Sequence, residues 1–177
     1  TWEELALISR KIQETSSNKN ALEIAETYHL VNSKQSLENE NTKTVRLSDG
    51  TKAQIQIVGF KADTLTDDGL PAGITFMFRT PIAMRAVNDS AATGGWEQSS
   101  LREWLADKGM ATLPDNLRNQ IRSVRKLTNN TGGTKDVSSI TATDDMLWLP
   151  SMSELCGYQS PETFADGSEY LSALYSG

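Results

Sequence analysis

Few residues in this chain have the type and spacing to do chemistry. His29 and Cys156 are the only histidine and cysteine. A Ser-His-Asp or Cys-His pair would therefore have to use His29. Nothing near Cys156 in sequence activates a thiolate, so it reads as a buried structural thiol. A Cys/His zinc site is excluded, and one cysteine cannot close an intramolecular disulfide. What remains is carboxylates, arginines and aromatic rings.

Asp63, Asp67 and Asp68, followed by Gly69, form an acidic stretch. Hard oxygen ligands in a loop suit calcium. The spacing matches no EF-hand, and the Glu-Pro-Asn and Gln-Pro-Asp triplets of calcium-dependent lectins are absent, so a solvated turn is the favoured reading. Asp144, Asp145 and Glu154 are the carboxylates a hydrolase or transferase would use, provided two of them face one cleft. For Glu154 a bland role is favoured. Ser151-Met152-Ser153-Glu154 has capping-box spacing, with a hydroxyl at the N-cap and a carboxylate three residues on.

Arg118, Arg122 and Arg125 fall at i, i+4 and i+7, and Lys126 adjoins them. On one helix they would share a face and could grip phosphate, but the polar side of an amphipathic helix is the favoured reading. Arg102 follows Leu101 and is expected to clamp a buried carboxylate. Trp96, Trp104 and Trp148 could stack on sugar rings. Trp104 and Trp148 sit in apolar patterns and read as core. Trp96 follows Gly94-Gly95, which permit an unusual backbone. Trp96, Arg102, Asn129, Asn130 and Asp144 are the candidate ligand-binding residues. They are drawn largely from the stretches 91–96 and 129–145, which with 63–70 are the candidate binding loops.

The elements that must position these residues follow from local pattern. Thr1-Trp2-Glu3-Glu4 is a capping box, and Trp2, Leu5, Ile8 and Ile12 continue it as an apolar helical stripe. Asn20 with Glu23 opens a second short helix carrying Leu22, Ala25 and Tyr28. Residues 32–42 are polar and read as a linker. Val45–Leu47 and Ala53–Val58 flank Asp49-Gly50, the clearest hairpin signal, with a type I′ turn expected. Ala53, Ile55 and Ile57 alternate with Gln54 and Gln56, which predicts one buried and one wet face. Ile74, Phe76 and Phe78 alternate with Thr75, Met77 and Arg79. Ile82–Val87 is expected as a strand begun after Pro81. Leu101, Trp104 and Leu105 follow the caps Ser99 and Ser100. Pro114 opens a helix with Leu117, Ile121 and Val124 on one face. Residues 129–145 read as a long polar loop and Met146–Leu149 as a short strand. The tail from Gln159 is weakly patterned.

With 37% apolar residues and a mean hydropathy of −0.44, the 177-residue chain reads as soluble and large enough for a core. The net charge of −6 argues against nucleic acid as a partner. No apolar run approaches the roughly 20 residues that span a bilayer. No signal-peptide pattern starts at Thr1, and a processed exported chain would look the same.

A series of short motifs resembles a group of uncharacterised domains found in surface and prophage-encoded proteins of gut Gram-positive bacteria. The series begins with Thr1-Trp2-Glu3-Glu4-Leu5, then Leu47-Ser48-Asp49-Gly50 leading into Val58-Gly59-Phe60, then Ala72-Gly73-Ile74-Thr75-Phe76. It continues with Gly94-Gly95-Trp96 and Ser99, Leu101-Arg102, and Leu113-Pro114 with Leu117. It ends with Met146-Leu147-Trp148-Leu149-Pro150-Ser151 and Glu154. The resemblance implies no catalytic residues. It implies further strands with a Trp-Leu-Arg-Ser-like segment, and nothing like that follows Tyr175. Leu149-Pro150-Ser151 with Glu154 is also similar, more distantly, to the Leu-Pro-Thr-x-x-Glu signature of C-type-lectin-like domains related to sulfatase-modifying factors. That likeness implies a rigid base displaying variable loops.

The expected fold is α+β: N-terminal helices over 1–41, then a domain over 42–177 with a mainly antiparallel sheet and two to three helices, of C-type-lectin-like form. The expected function is non-catalytic binding of a glycan, wall polymer or protein partner through loops. No cofactor is expected beyond a possible calcium, and the expected location is the cell surface, outside the cell, or a phage virion. An assembly subunit that self-associates through the N-terminal helices, and a carboxylate hydrolase, are the alternatives.

Overall fold

A computed structural model describes residues 1–15, 23–24, 27–30, 42–89, 94–130, 138, 140–151 and 154–155. The architecture is α+β, as the sequence predicts. Helix α1 spans Trp2–Gln13 and starts at the expected capping box: Thr1 accepts from the Glu4 backbone N–H, and Glu4 reaches back. Its stripe turns inward, with Trp2 and Ile12 buried. Glu23, Ile24 and Thr27 are helical, matching part of the second expected helix. Asn20, Leu22, Ala25, the linker 32–41 and the tail lie outside the described residues.

Strands β1 (Thr42–Arg46), β2 (Lys52–Phe60) and β4 (Ile74–Phe78) form one antiparallel sheet in the order β1-β2-β4. Strands β3 (Thr64–Leu65), β5 (Val124–Asn129) and β6 (Ile140–Asp145) form a second, in the order β3-β5-β6. The β1–β2 hairpin is present, but its turn is not type I′. The Gly50 N–H donates to the Leu47 carbonyl at 2.9 Å, and only Gly50, at φ 87°, takes a positive φ in the turn. Type I′ needs two positive φ values, so this is a three-residue loop with glycine at the left-handed position. Asp49 Oδ1 accepts the Thr51 N–H at 2.8 Å and holds the loop closed.

The main core joins Trp2 of α1 to Val45, Leu47, Ala53 and Ile55 of the hairpin and to Met110, Leu113 and Leu117. A smaller cluster under the second sheet contains Leu65, Ala72 and Val124, with Trp148 against it. Helix α2 (Ser100–Trp104) is capped by Ser99, whose side chain accepts from the Arg102 N–H, and runs on as a π-helical turn over Leu105–Gly109. Helix α3 (Asp115–Arg118) follows Pro114, which sits at the N-cap.

Five further expectations are corrected. The helix expected over 114–126 ends after one turn, at Arg118. Val124 begins β5, so Arg118, Arg122 and Arg125 share no helix face. The 3.6-residue spacing of Leu117, Ile121 and Val124 coincides with a helix, a turn and a strand start. Residues 82–87 form no strand, and Met146–Leu149 is irregular. The strand lies just before it, inside the expected loop 129–145, where Ile140–Asp145 pairs with β5 along its whole length. Thr and Asp there look like loop composition, but backbone pairing to β5 outweighs weak intrinsic preference. Finally, Gln56 is buried rather than wet, because both faces of β2 are covered near its end.

Candidate functional site

On β5 and β6 directly opposed residues share a face, and the register sets Val124 against Asp145 and Lys126 against Thr143. All four are buried, while Arg125 and Asp144 point the other way and are exposed. The inward face of this sheet thus carries a lysine and an aspartate. Burying an unpaired charge is costly, so partners must converge on both.

Lys126 lies on the inner side of β5 with its side chain 8% exposed. Its Nζ donates to Asp63 Oδ1 at 2.7 Å and to Glu154 Oε1. Its ammonium sits 4.6 Å from the Trp148 ring centroid, a cation–π contact. Burial disfavours the ammonium, but attraction to Asp63 and Glu154 and their hydrogen bonds outweigh it and hold the Lys126 pKa above the ordinary lysine value. The other Asp63 oxygen accepts from Thr75 Oγ1 at 2.6 Å. Glu154 closes the capping box read from sequence, taking the Ser151 N–H at 2.8 Å while its own N–H donates to Ser151 Oγ at 3.1 Å. Trp148 Nε1 also donates to Glu154, at 3.3 Å. Glu154 is therefore both a helix cap and half of a buried ion pair. Only the first role is visible locally.

Asp145 anchors a second, separate cluster. Its Oδ1 accepts from Arg102 Nε at 2.7 Å, and its Oδ2 from Trp96 Nε1 at 3.0 Å and Thr143 Oγ1 at 2.6 Å. Arg102 extends its fork to the carbonyls of Glu97 and Asp144 at 3.3 and 3.4 Å. The clamp expected of Arg102 is thus present, with Asp145 as the carboxylate. Gly95, at φ 59°, lies flat on Asn130, where no Cβ fits, and Asn130 Nδ2 donates to Thr141 Oγ1 at 2.6 Å.

The ligand-binding candidates divide accordingly. Trp96, Arg102 and Asn130 come together around the 94–99 turn and β6, whereas the Asp144 side chain points to the other face of the sheet, toward Arg125 and Thr66. Asn129 ends β5 beside Asn130. Residues 91–93, 131–137 and 139 of the candidate loops lie outside the described residues. The metal candidates do not converge. Asp63 is buried on Lys126, whereas Asp67 and Asp68 are exposed and both bind Arg122. Among the described residues no three side chains of His, Cys, Asp or Glu are grouped to hold a metal ion. Asp144 and Asp145 are consecutive in a strand and face opposite sides, so they do not meet in one cleft. Asp144 instead pairs with Arg125 at 3.5 Å and accepts from Thr66 Oγ1 at 3.2 Å. Sequence reasoning missed Lys126 as a central group and Asp63 as its partner.

The two clusters tie down the bases of several connections. Asp63 precedes the 66–71 turn, Trp96 belongs to the 94–99 turn, Asp145 leads into 146–150, and Glu154 follows them. Among the described residues the buried carboxylates, Asp63, Asp145 and Glu154, are each occupied by protein donors. Chemically the arrangement holds loops in place. Among the described residues no helix is long and apolar enough to cross a membrane. A family model described as a domain of unknown function (DUF6273) matches residues 72–176, more than half of the chain. No curated protein and no solved structure matches it.

Proposed function

The chain belongs to that domain family, and on this premise we propose that it is a non-catalytic recognition module of a bacterial cell surface or phage particle, which takes a glycan or wall polymer on its loops. A protein partner is the alternative ligand for the same loops. The observation that carries this reading is a pair of clusters, the buried Lys126 with Asp63 and Glu154 and, separately, the buried Asp145 with the half-buried Arg102. They spend the chain's strongest polar groups on fixing loop bases, the division of labour of a rigid scaffold that presents variable loops. Occupied carboxylates on this face argue against acid–base chemistry, which needs a carboxyl free to exchange a proton with substrate.

The surface or virion location rests on the motif resemblance to bacterial surface and prophage domains. The loop-bearing base is the feature the C-type-lectin-like likeness would lead one to look for. No cofactor is required. Calcium is the ion to include in a test, although Asp67 and Asp68 already have Arg122 as a counter-charge. The test is binding of the purified chain to immobilised bacterial wall polymers and mucosal glycans, with and without calcium. The informative variant is Asp144→Asn, which changes an exposed loop-side group and leaves the buried clusters intact.

A further inference from the structure

A cavity of about 590 Å³ lies between α1 and the β1-β2-β4 sheet, with α2 and the 146–150 stretch completing its wall. This is the size of small-molecule sites, which run about 300–1,000 Å³ and are mostly apolar with a few placed polar groups. One face of α1, including Trp2, Leu5 and Ser9, forms one side, and Phe76, Phe78 and Trp104 lie among the other walls.

The charge of this cavity is opposite to that of the chain. The protein carries −6 overall, with 23 acidic residues against 17 basic ones. Yet the residues lining the cavity include Arg10, Arg85 and Arg122 and no aspartate or glutamate. All three arginines are exposed while the walls are apolar, so their charges stand at the mouth. Arg122 is held by Asp67 and Asp68. Arg85 lies over the Trp104 ring at 5.3 Å, with Asp89 only at 3.9 Å. Arg10 has no ion-pair or hydrogen-bond partner among the described residues. An apolar interior with an unneutralised guanidinium at its entrance matches a ligand with an apolar body and an acidic end.

We propose that this cavity binds a single-chain amphiphile with an anionic head group, the chain lying along the apolar walls formed by α1, β4 and α2 and the head group at Arg10. This site lies apart from the 91–96 and 129–145 stretches and meets the 63–70 stretch at Leu65.

The test uses dodecanoate below its critical micelle concentration, titrated into the full chain by calorimetry. Tryptophan fluorescence is read in parallel, because Trp2, Trp104 and Trp148 all line the cavity. Dodecyltrimethylammonium, with the same chain and the opposite charge, is the comparator. We expect saturable one-to-one binding of dodecanoate and at least tenfold weaker binding of the cation. Arg10→Glu should weaken dodecanoate at least fivefold and narrow that preference. Ala6→Phe, placing a ring on the cavity side of α1, should abolish binding of both, with circular dichroism checking that each variant is folded. Equal binding of the two amphiphiles, or no saturable binding, would overturn the proposal.

Discussion

The Lys126 ammonium lies 2.7 Å from Asp63 Oδ1, joining residues 63 positions apart, and the same ammonium reaches Glu154 from the other side. One cation thus ties β5 to the end of the β2–β3 connection and to the helix start at 154. Removing one partner of a buried ion pair leaves charge uncompensated and costs about 3–5 kcal/mol. Lys126→Met should lower stability by about that amount in urea unfolding. The triple variant Lys126→Met, Asp63→Asn, Glu154→Gln should recover at least half of the loss, because no bare charge remains. A Lys126→Met variant as stable as the parent would show that the contact does not hold in solution.

The same group sets an alkaline limit. Its pKa is raised in the fold. The unfolded chain therefore gives up this proton at lower pH than the folded one, and the stability from the pair is complete below the ordinary lysine value of about 10.4. That stability is lost as pH rises through the higher folded value. The difference in unfolding free energy between parent and Lys126→Met should stay constant from pH 7 to about 10 and shrink above it. A difference that kept its full size as pH rose through the alkaline range would point to a different group.

Asp144 and Asp145 are chemically identical neighbours with opposite environments. Asp145→Asn keeps the shape but weakens the charge-assisted bond to Arg102 and should cost about 2–3 kcal/mol, a hydrogen bond to a charged group being worth about 1.5–3. Asp144→Asn removes an exposed pair with Arg125 and should fall within about 0.5 kcal/mol of the parent. Thermal unfolding of the two variants side by side checks this. Trp96, bonded to Asp145, should report the first substitution and not the second in its fluorescence.

How α1 docks is tested at Gly73. A Cβ there would overlap the Ser9 carbonyl of α1, and the next N–H, that of Ile74, donates to Ser9 Oγ at 3.1 Å. Gly73→Ala should therefore push the helix off the sheet, costing about 1–3 kcal/mol, the usual range for overpacking. Hydrogen exchange should show the α1 amides opening before those of β2.

Features that depend on neighbours in sequence were legible. Thr1 with Glu4 and Ser151 with Glu154 close the expected capping boxes, and Asp49-Gly50 makes a hairpin, because each is a matter of a few bonds within one turn. The Arg102 clamp was legible as a role but not as a pair, since Asp145 lies 43 residues away. Lys126 was misread for two reasons. Leu117, Ile121 and Val124 imitate helical spacing across a helix end and a turn. A lysine at an inward strand position also contradicts the polar-out pattern by which strands are recognised. Its meaning depends on Asp63 and Glu154, which only the tertiary fold brings to it. Thr141 to Asp145 looked like loop for the same reason: its inward polar residues are satisfied by distant donors.

The most direct measurement is equilibrium binding of the intact chain to an array of bacterial wall polymers and mucosal glycans. Loop recognition predicts saturable binding to a restricted set, reduced at least tenfold by Asp144→Asn although that variant keeps the parent's thermal stability. No binding to any polymer, or binding that Asp144→Asn and Trp96→Ala both leave unchanged, would contradict recognition through these loops.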